Sequence, residues 1–411
     1  MFAGVREDLR QLLLGDSHKV SDRLVRLIEV NCRLSAQIFR EQIFMDAKKN
    51  IDMQCLRAIA VIMVVMQHYK VRLPTTQSYV DMFNSLSLWT GVDVFFALSG
   101  FLIYKSINSE LAKNQTRKAA AISFSQKRIK RLVPALVLGL FVSIAVSAVS
   151  FSSPNHDPLK TSTGALMALL GVSNFYWSAC VGGLLSYCGN PDFNGVTWSL
   201  ALEWQLYAVA CILICVLGNR RAVAIALAAS LLLSIWPAPS FSILWVTRSL
   251  AFFLGCSIGM LSAGRDFTLS RPASLCALLA GLSLCTLSPI YASKSITLLL
   301  IGIGGALCLI SSVSNKLFSR KSVITELFTW IGDRSYSVYL LHLPCILLTR
   351  EILVFAGLNQ NNWIGILAGL TISIPLIAFA SNGSYKFIEQ RFIKSIAKVE
   401  TQSRAITEKN L

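Results

Sequence analysis

Ten runs of about 20 mostly apolar residues divide this chain, at 53–73, 89–108, 132–151, 197–217, 222–237, 241–262, 272–290, 295–313, 335–356 and 363–382. A run of that length spans the roughly 30 Å hydrocarbon layer as a helix. The expected fold is therefore all-α, a polytopic membrane protein with about ten transmembrane helices. A soluble domain is excluded by 54% apolar and 14% charged residues over 411 positions.

The formal charge of +17 would suit a nucleic-acid partner, but its distribution follows the membrane instead. With both termini in the cytoplasm, 31 of the 38 Lys and Arg fall on inner segments and 4 on outer ones. That is the positive-inside pattern, so no nucleic-acid role is expected. Residues 1–50 carry recurrent charges and read as a cytoplasmic amphipathic leader, with His18 solvated. Residues 51–395 form the transmembrane domain, with a basic amphipathic helix from Ser381, and 396–411 read as a disordered tail. No metal constellation, phosphate loop or internal repeat is present, and no bound cofactor is implied.

The first run, MQCLRAIAVIMVVMQHYKV, carries Arg57 and His68. Eleven residues advance a helix by three turns and about 20°, so the two side chains share a face about 16 Å apart along the axis. Ionisable groups at membrane depth are functional by default. Asp93 falls about 6 Å below the outer surface, with Ser99 and Gly100 deeper as a small pair suited to close helix packing. Arg128 and Arg131 lie three apart at the inner boundary, where two guanidinium groups can grip phosphate. Glu203 is a second acid at outer depth. Arg248 is an intramembrane cation that needs either a structural partner or a substrate. Asp333, Arg334, Tyr336 and His342 open the ninth run.

Most of the 11 cysteines sit inside apolar runs and act as small apolar residues. Cys180 and Cys188 share an outer loop where an oxidising compartment can bond them. That loop belongs to the long segment 152–196, whose length suggests a lid or a re-entrant piece, with His156 as an exposed loop histidine.

In order along the chain, LRAIAVIMVVMQH, GVDVFFALSGFLI, RIKRLVPA, TWSLALEWQLY, IGDRSYSVYLLHLP and SYKFIEQRF resemble the motifs of acyltransferase family 3 over residues 50–395. The resemblance implies a bundle of ten helices in the bacterial cytoplasmic membrane. Its activity would be transfer of an acyl group, most often acetyl, from acyl-CoA to a hydroxyl of a glycan or lipid-linked sugar. It marks Arg57 and His68 as the Arg-x10-His pair, Arg128 and Arg131 as the Arg-x-x-Arg pair, and Asp93, Ser99, Glu203 and His342 as motif polar residues. Gln54-Cys55 and Trp204 depart from the usual pattern.

On this reading His68 is the base that takes the hydroxyl proton, since imidazole does so near neutral pH. Glu203, at the same depth, would orient His68, and Asp93 is the third catalytic candidate. Arg57, Arg128 and Arg131 would hold the phosphates of acyl-CoA, while Ser99, Arg248, Tyr336 and His342 remain further candidates. A sugar or lipid transporter is the alternative, and it would move substrate without consuming acyl-CoA.

Overall fold

A computed structural model describes residues 50–70, 72–154, 156–263, 268–318 and 322–392. The expected leader with His18, and the expected tail, lie outside these residues. Eleven main helices follow one another: α1 Ile51–Tyr69, α2 Gly91–Lys113, α3 Arg117–Val149, α4 Thr197–Leu217, α5 Asn219–Ser234, α6 Leu250–Leu261, α7 Arg271–Tyr291, α8 Thr297–Val313, α9 Val323–Asp333, α10 Ser335–Phe355 and α11 Trp363–Ser384. Among the described residues no strand occurs.

Eight segments are long and apolar enough to cross a membrane: α1, α2 with the turn before it, α3, α4, Ile243–Leu261, α7, α10, and α11 continued to Phe392. The two other apolar runs form shorter helices, α5 with 16 residues and α8 with 17. At 1.5 Å per residue these extend about 24–26 Å, at or below the lower limit for a straight span. The helix count by length is therefore eight rather than the ten runs the sequence shows.

Two helices differ from their runs in ways that matter. α3 starts 15 residues before its apolar stretch, because Thr116 caps it through Ala119 N at 3.1 Å and the Ala-rich turn that follows favours helix. The cationic stretch with Arg128 and Arg131 is thus part of one rigid rod rather than a loop. Conversely, the run at 241–262 is broken between Ile243–Val246 and α6, leaving Arg248 on unwound backbone.

α2 is the central helix, with most of its spanning stretch buried. A Cβ on Gly100 would stand 1.9 Å from the Phe252 carbonyl oxygen, and one on Gly255 would stand 2.1 Å from that of Ala97. α2 and α6 therefore meet backbone to backbone, the packing role expected of the small Ser99-Gly100 pair. The start of α1 is fixed by reciprocal capping. Asn315 Oδ1 accepts from Ile51 N and Asp52 N, while the Asp52 carboxylate accepts from Leu317 N at 2.7 Å and Phe318 N at 3.0 Å. α1 then runs unbroken to Tyr69, so Arg57 and His68 keep their common face.

The segment 150–196 folds as three short helices, Pro158–Leu169, Ser173–Val181 and Pro191–Asn194. It is tied down by the Glu351 carboxylate, which accepts from Ser152, by Arg350 donating to the Ser152 carbonyl at 3.0 Å, and by an Arg72–Asp192 ion pair. His156 is half-buried, hydrogen-bonded to the Ser153 carbonyl and stacked edge-on to Phe151. Cys180 and Cys188 are disulfide-bonded, their Cα atoms 5.9 Å apart. In membranes from an oxidising compartment, alkylation with and without reductant should differ by two thiols. Equal labelling in both would remove the bond.

Candidate active site

One cavity of about 110 Å³ opens between α1, α2, α3, α4 and α10. Arg57 reaches it from α1, and Arg128 and Arg131 from α3, where three-residue spacing puts both on one face. All three guanidinium groups are half-buried, and among the described residues none makes a hydrogen bond or an ion pair. The Arg128 guanidinium lies 5.8 Å from the centroids of the Phe124 and Tyr207 rings. Three cations in one partly buried cavity, without a direct acidic partner, make a site for an anionic ligand.

Glu203 lines the same cavity. Ser99 Oγ and the Tyr207 hydroxyl both donate to the same carboxylate oxygen, Oε1. Tyr207 is four residues after Glu203 on α4, so the two share a face. Tyr336 donates to the Leu132 carbonyl at 2.9 Å and joins α10 to α3 beside Arg131. Glu389 also faces the cavity, buried, with Ser337 Oγ donating to it. It sits in a π-helical turn, Tyr385–Glu389, that continues α11. Sequence reasoning missed Tyr207 and Glu389. The first was visible as an i,i+4 neighbour of a buried acid. The second lay hidden in a stretch expected to form a basic amphipathic helix.

His68 is not on the cavity wall. Its ring lies 5.3 Å from that of His342, and the His342 ring lies 5.9 Å from Tyr339, which does line the cavity. Arg72 donates to the His68 carbonyl at 2.9 Å and holds that end of α1. The expected Glu203–His68 dyad is thus replaced by two arrangements. Glu203 is engaged by Ser99 and Tyr207, and His68 stands against a second imidazole. Equal depth along two helices did not make them neighbours, because depth says nothing about which faces meet.

Asp93, the third catalytic candidate, is held by Arg248. Nε donates to Oδ1 at 2.9 Å and one Nη to Oδ2 at 3.1 Å, and the other Nη donates to the Trp245 carbonyl. Both side chains are buried, and the guanidinium is 4.2–5.0 Å from the ring centroids of Trp245, Trp198 and Trp89. Both carboxylate oxygens are taken, so of the two readings for Arg248 the geometry gives structural pairing.

A bundle of apolar helices around a cation-lined cavity, with a buried acid, hydroxyls and two imidazoles beside it, has the parts of an intramembrane group-transfer enzyme. The chain belongs to the acyltransferase family described as "Acyltransferase domain", which matches residues 50–381. It is similar to the peptidoglycan O-acetyltransferase OatA of Listeria monocytogenes, 26% identical over 81% of this chain and 54% of that protein. The O-acetyl transferase of Shigella phage Sf6 is 25% identical over 82% of this chain and 94% of its own length. The O-acetyltransferase OatA of Staphylococcus aureus is 26% identical over 81% of this chain and 55% of the relative. The chain thus spans about half the length of the two OatA proteins and nearly all of the phage protein. No solved structure matches it.

Proposed function

We propose that this chain is a multi-pass O-acyltransferase of the bacterial cytoplasmic membrane that moves an acyl group, acetyl first among them, from acyl-CoA to a hydroxyl of a glycan or lipid-linked sugar. The observation that carries the reading is the convergence of Arg57, Arg128 and Arg131 on one cavity without a direct acidic partner. A donor that is long and anionic at only one end fits guanidinium groups at one end of a track and a base at the other. The names of the relatives supply the glycan acceptor. In this arrangement α5 and α8 also cross, giving ten passes with both termini inside, in keeping with the inner excess of Lys and Arg.

In this mechanism the arginines hold the phosphates, and the pantetheine arm extends along the wall of Ser99, Glu203 and Tyr207. The acceptor hydroxyl meets the thioester carbonyl at the His68 end. His68 takes the hydroxyl proton as the new O–acyl bond forms and the C–S bond breaks, and the proton then passes to the departing thiolate. Glu203, fixed by two hydroxyl donors, offsets the positive charge of the cavity.

Purified protein supplied with acetyl-CoA and a glycan acceptor should release free CoA in proportion to acylated product. Substrate flux without CoA release would instead make it a transporter. Arg128→Ala and Arg131→Ala should each raise the KM for acyl-CoA by about tenfold or more, since each removes a charge-assisted phosphate contact, while the KM for the acceptor changes little. Lys at either position should recover part of the loss. Equal weakening toward both substrates would assign these residues to packing.

A further inference from the structure

A neutral histidine has one ring nitrogen that donates and one that accepts, and a buried one needs a partner for each. His342 is fully buried on α10. Its Nδ1 lies 3.1 Å from the Val338 carbonyl oxygen and 2.8 Å from that of Tyr339. Both are pure acceptors, so Nδ1 holds the proton and the neutral ring keeps a lone pair at Nε2. That Nε2 is buried and has no hydrogen-bond partner among the described residues. A bare buried acceptor is uncommon and calls for a donor.

The ring beside it is His68, with centroids 5.3 Å apart and planes tilted by 48°. Two imidazoles joined by an N–H···N bond of about 3 Å have centroids roughly 5 Å apart, once the ring radii are added. The centroid separation of the pair matches that spacing. The backbone of His68 is pinned through Arg72, itself paired with Asp192, so the ring has a fixed base from which to turn.

We propose that His342 is a positioning residue for His68. Its Nε2 accepts the ring N–H of His68, which fixes the tautomer and leaves the other His68 nitrogen bare toward the acceptor hydroxyl. A neutral imidazole here takes the place that a carboxylate holds in a Ser-His-Asp arrangement. The protons balance: the hydroxyl proton moves to His68 and then to the CoA thiolate, and His342 keeps its own throughout. The proposal rests on the acyl-transfer reading with His68 as base.

Two substitutions separate positioning from packing. His342→Asn keeps an amide donor near the Nδ1 place and offers no acceptor at the Nε2 place. His342→Gln brings an amide oxygen close to the Nε2 place. In ¹⁵N-histidine-labelled full-length protein in bilayers, with signals assigned by single His→Gln variants, wild-type His68 should be one neutral tautomer. In His342→Asn it should become a mixture, and in His342→Gln the wild-type tautomer should return. Turnover should follow, with kcat down about tenfold or more in the Asn variant and less in the Gln variant, at a KM for acyl-CoA within about twofold of wild type.

A mixed His68 tautomer in wild type, or an unchanged one in His342→Asn, overturns the proposal whether or not a variant folds poorly. Equal kinetic losses in both variants do the same. Failure of the wild type to release CoA with any acceptor would end the acyl-transfer reading, while the tautomer spectra would still decide the histidine pair.

Discussion

His68→Gln lowers kcat by at least about 10²-fold while acyl-CoA binding stays near wild type, the size expected when a general base is removed from a positioned site. An alcohol is a poor nucleophile at neutral pH, so the step needs a group that takes its proton as the bond to the acyl carbon forms. Glu203 is engaged by two hydroxyl donors and Asp93 by a bidentate guanidinium, which leaves the imidazoles. His342 has its Nδ1 committed to backbone carbonyls, whereas His68 shares the α1 face with Arg57. Gln retains hydrogen bonding and the approximate volume but no useful basicity, so a loss measures proton transfer rather than packing. CoA release at saturating substrates, beside acyl-CoA binding by calorimetry on equally folded samples, makes the comparison. Normal turnover in His68→Gln would end its assignment as base.

What the sequence discloses about this site follows from the range of its signals. Helical spacing within one element is enough to align Arg57 with His68 and to pair Arg128 with Arg131, and α1 and α3 are continuous through both pairs. Close helix approach at Gly100 is also readable from the small Ser99-Gly100 pair, although which helix approaches is not. Partners across the bundle are a different matter. Asp93 and Arg248 are 155 positions apart, and nothing local to either says that they meet. Glu389 was lost for a subtler reason. A π-turn adds a residue to the helical repeat and so turns the following side chains to another face, which a 3.6-residue period cannot anticipate. Ten apolar runs and eight helices of spanning length differ because apolarity marks where a helix can sit in lipid, while the lengths of α5 and α8 are set by where the backbone stops being helical.

Breaking the Asp93–Arg248 pair should have the largest effect on stability. Arg248→Ala leaves a carboxylate buried without its counter-ion, and the expected cost is about 3–5 kcal/mol. Asp93→Ala strands the guanidinium instead. That charge keeps the Trp245 carbonyl and three indole faces, so its cost should lie at or below the lower end of the same range. The double variant Asp93→Leu with Arg248→Met removes both charges while retaining apolar volume, and should be distinctly more stable than Arg248→Ala, because the penalty of a single variant is mostly the uncompensated charge. Unfolding in detergent for the two singles, the double and the wild type gives the comparison directly. The same set tests chemistry: a pair that only holds the unwound backbone around Arg248 against α2 leaves the double variant with substantial kcat. Loss of turnover in a stable double variant would return Asp93 to the reaction itself.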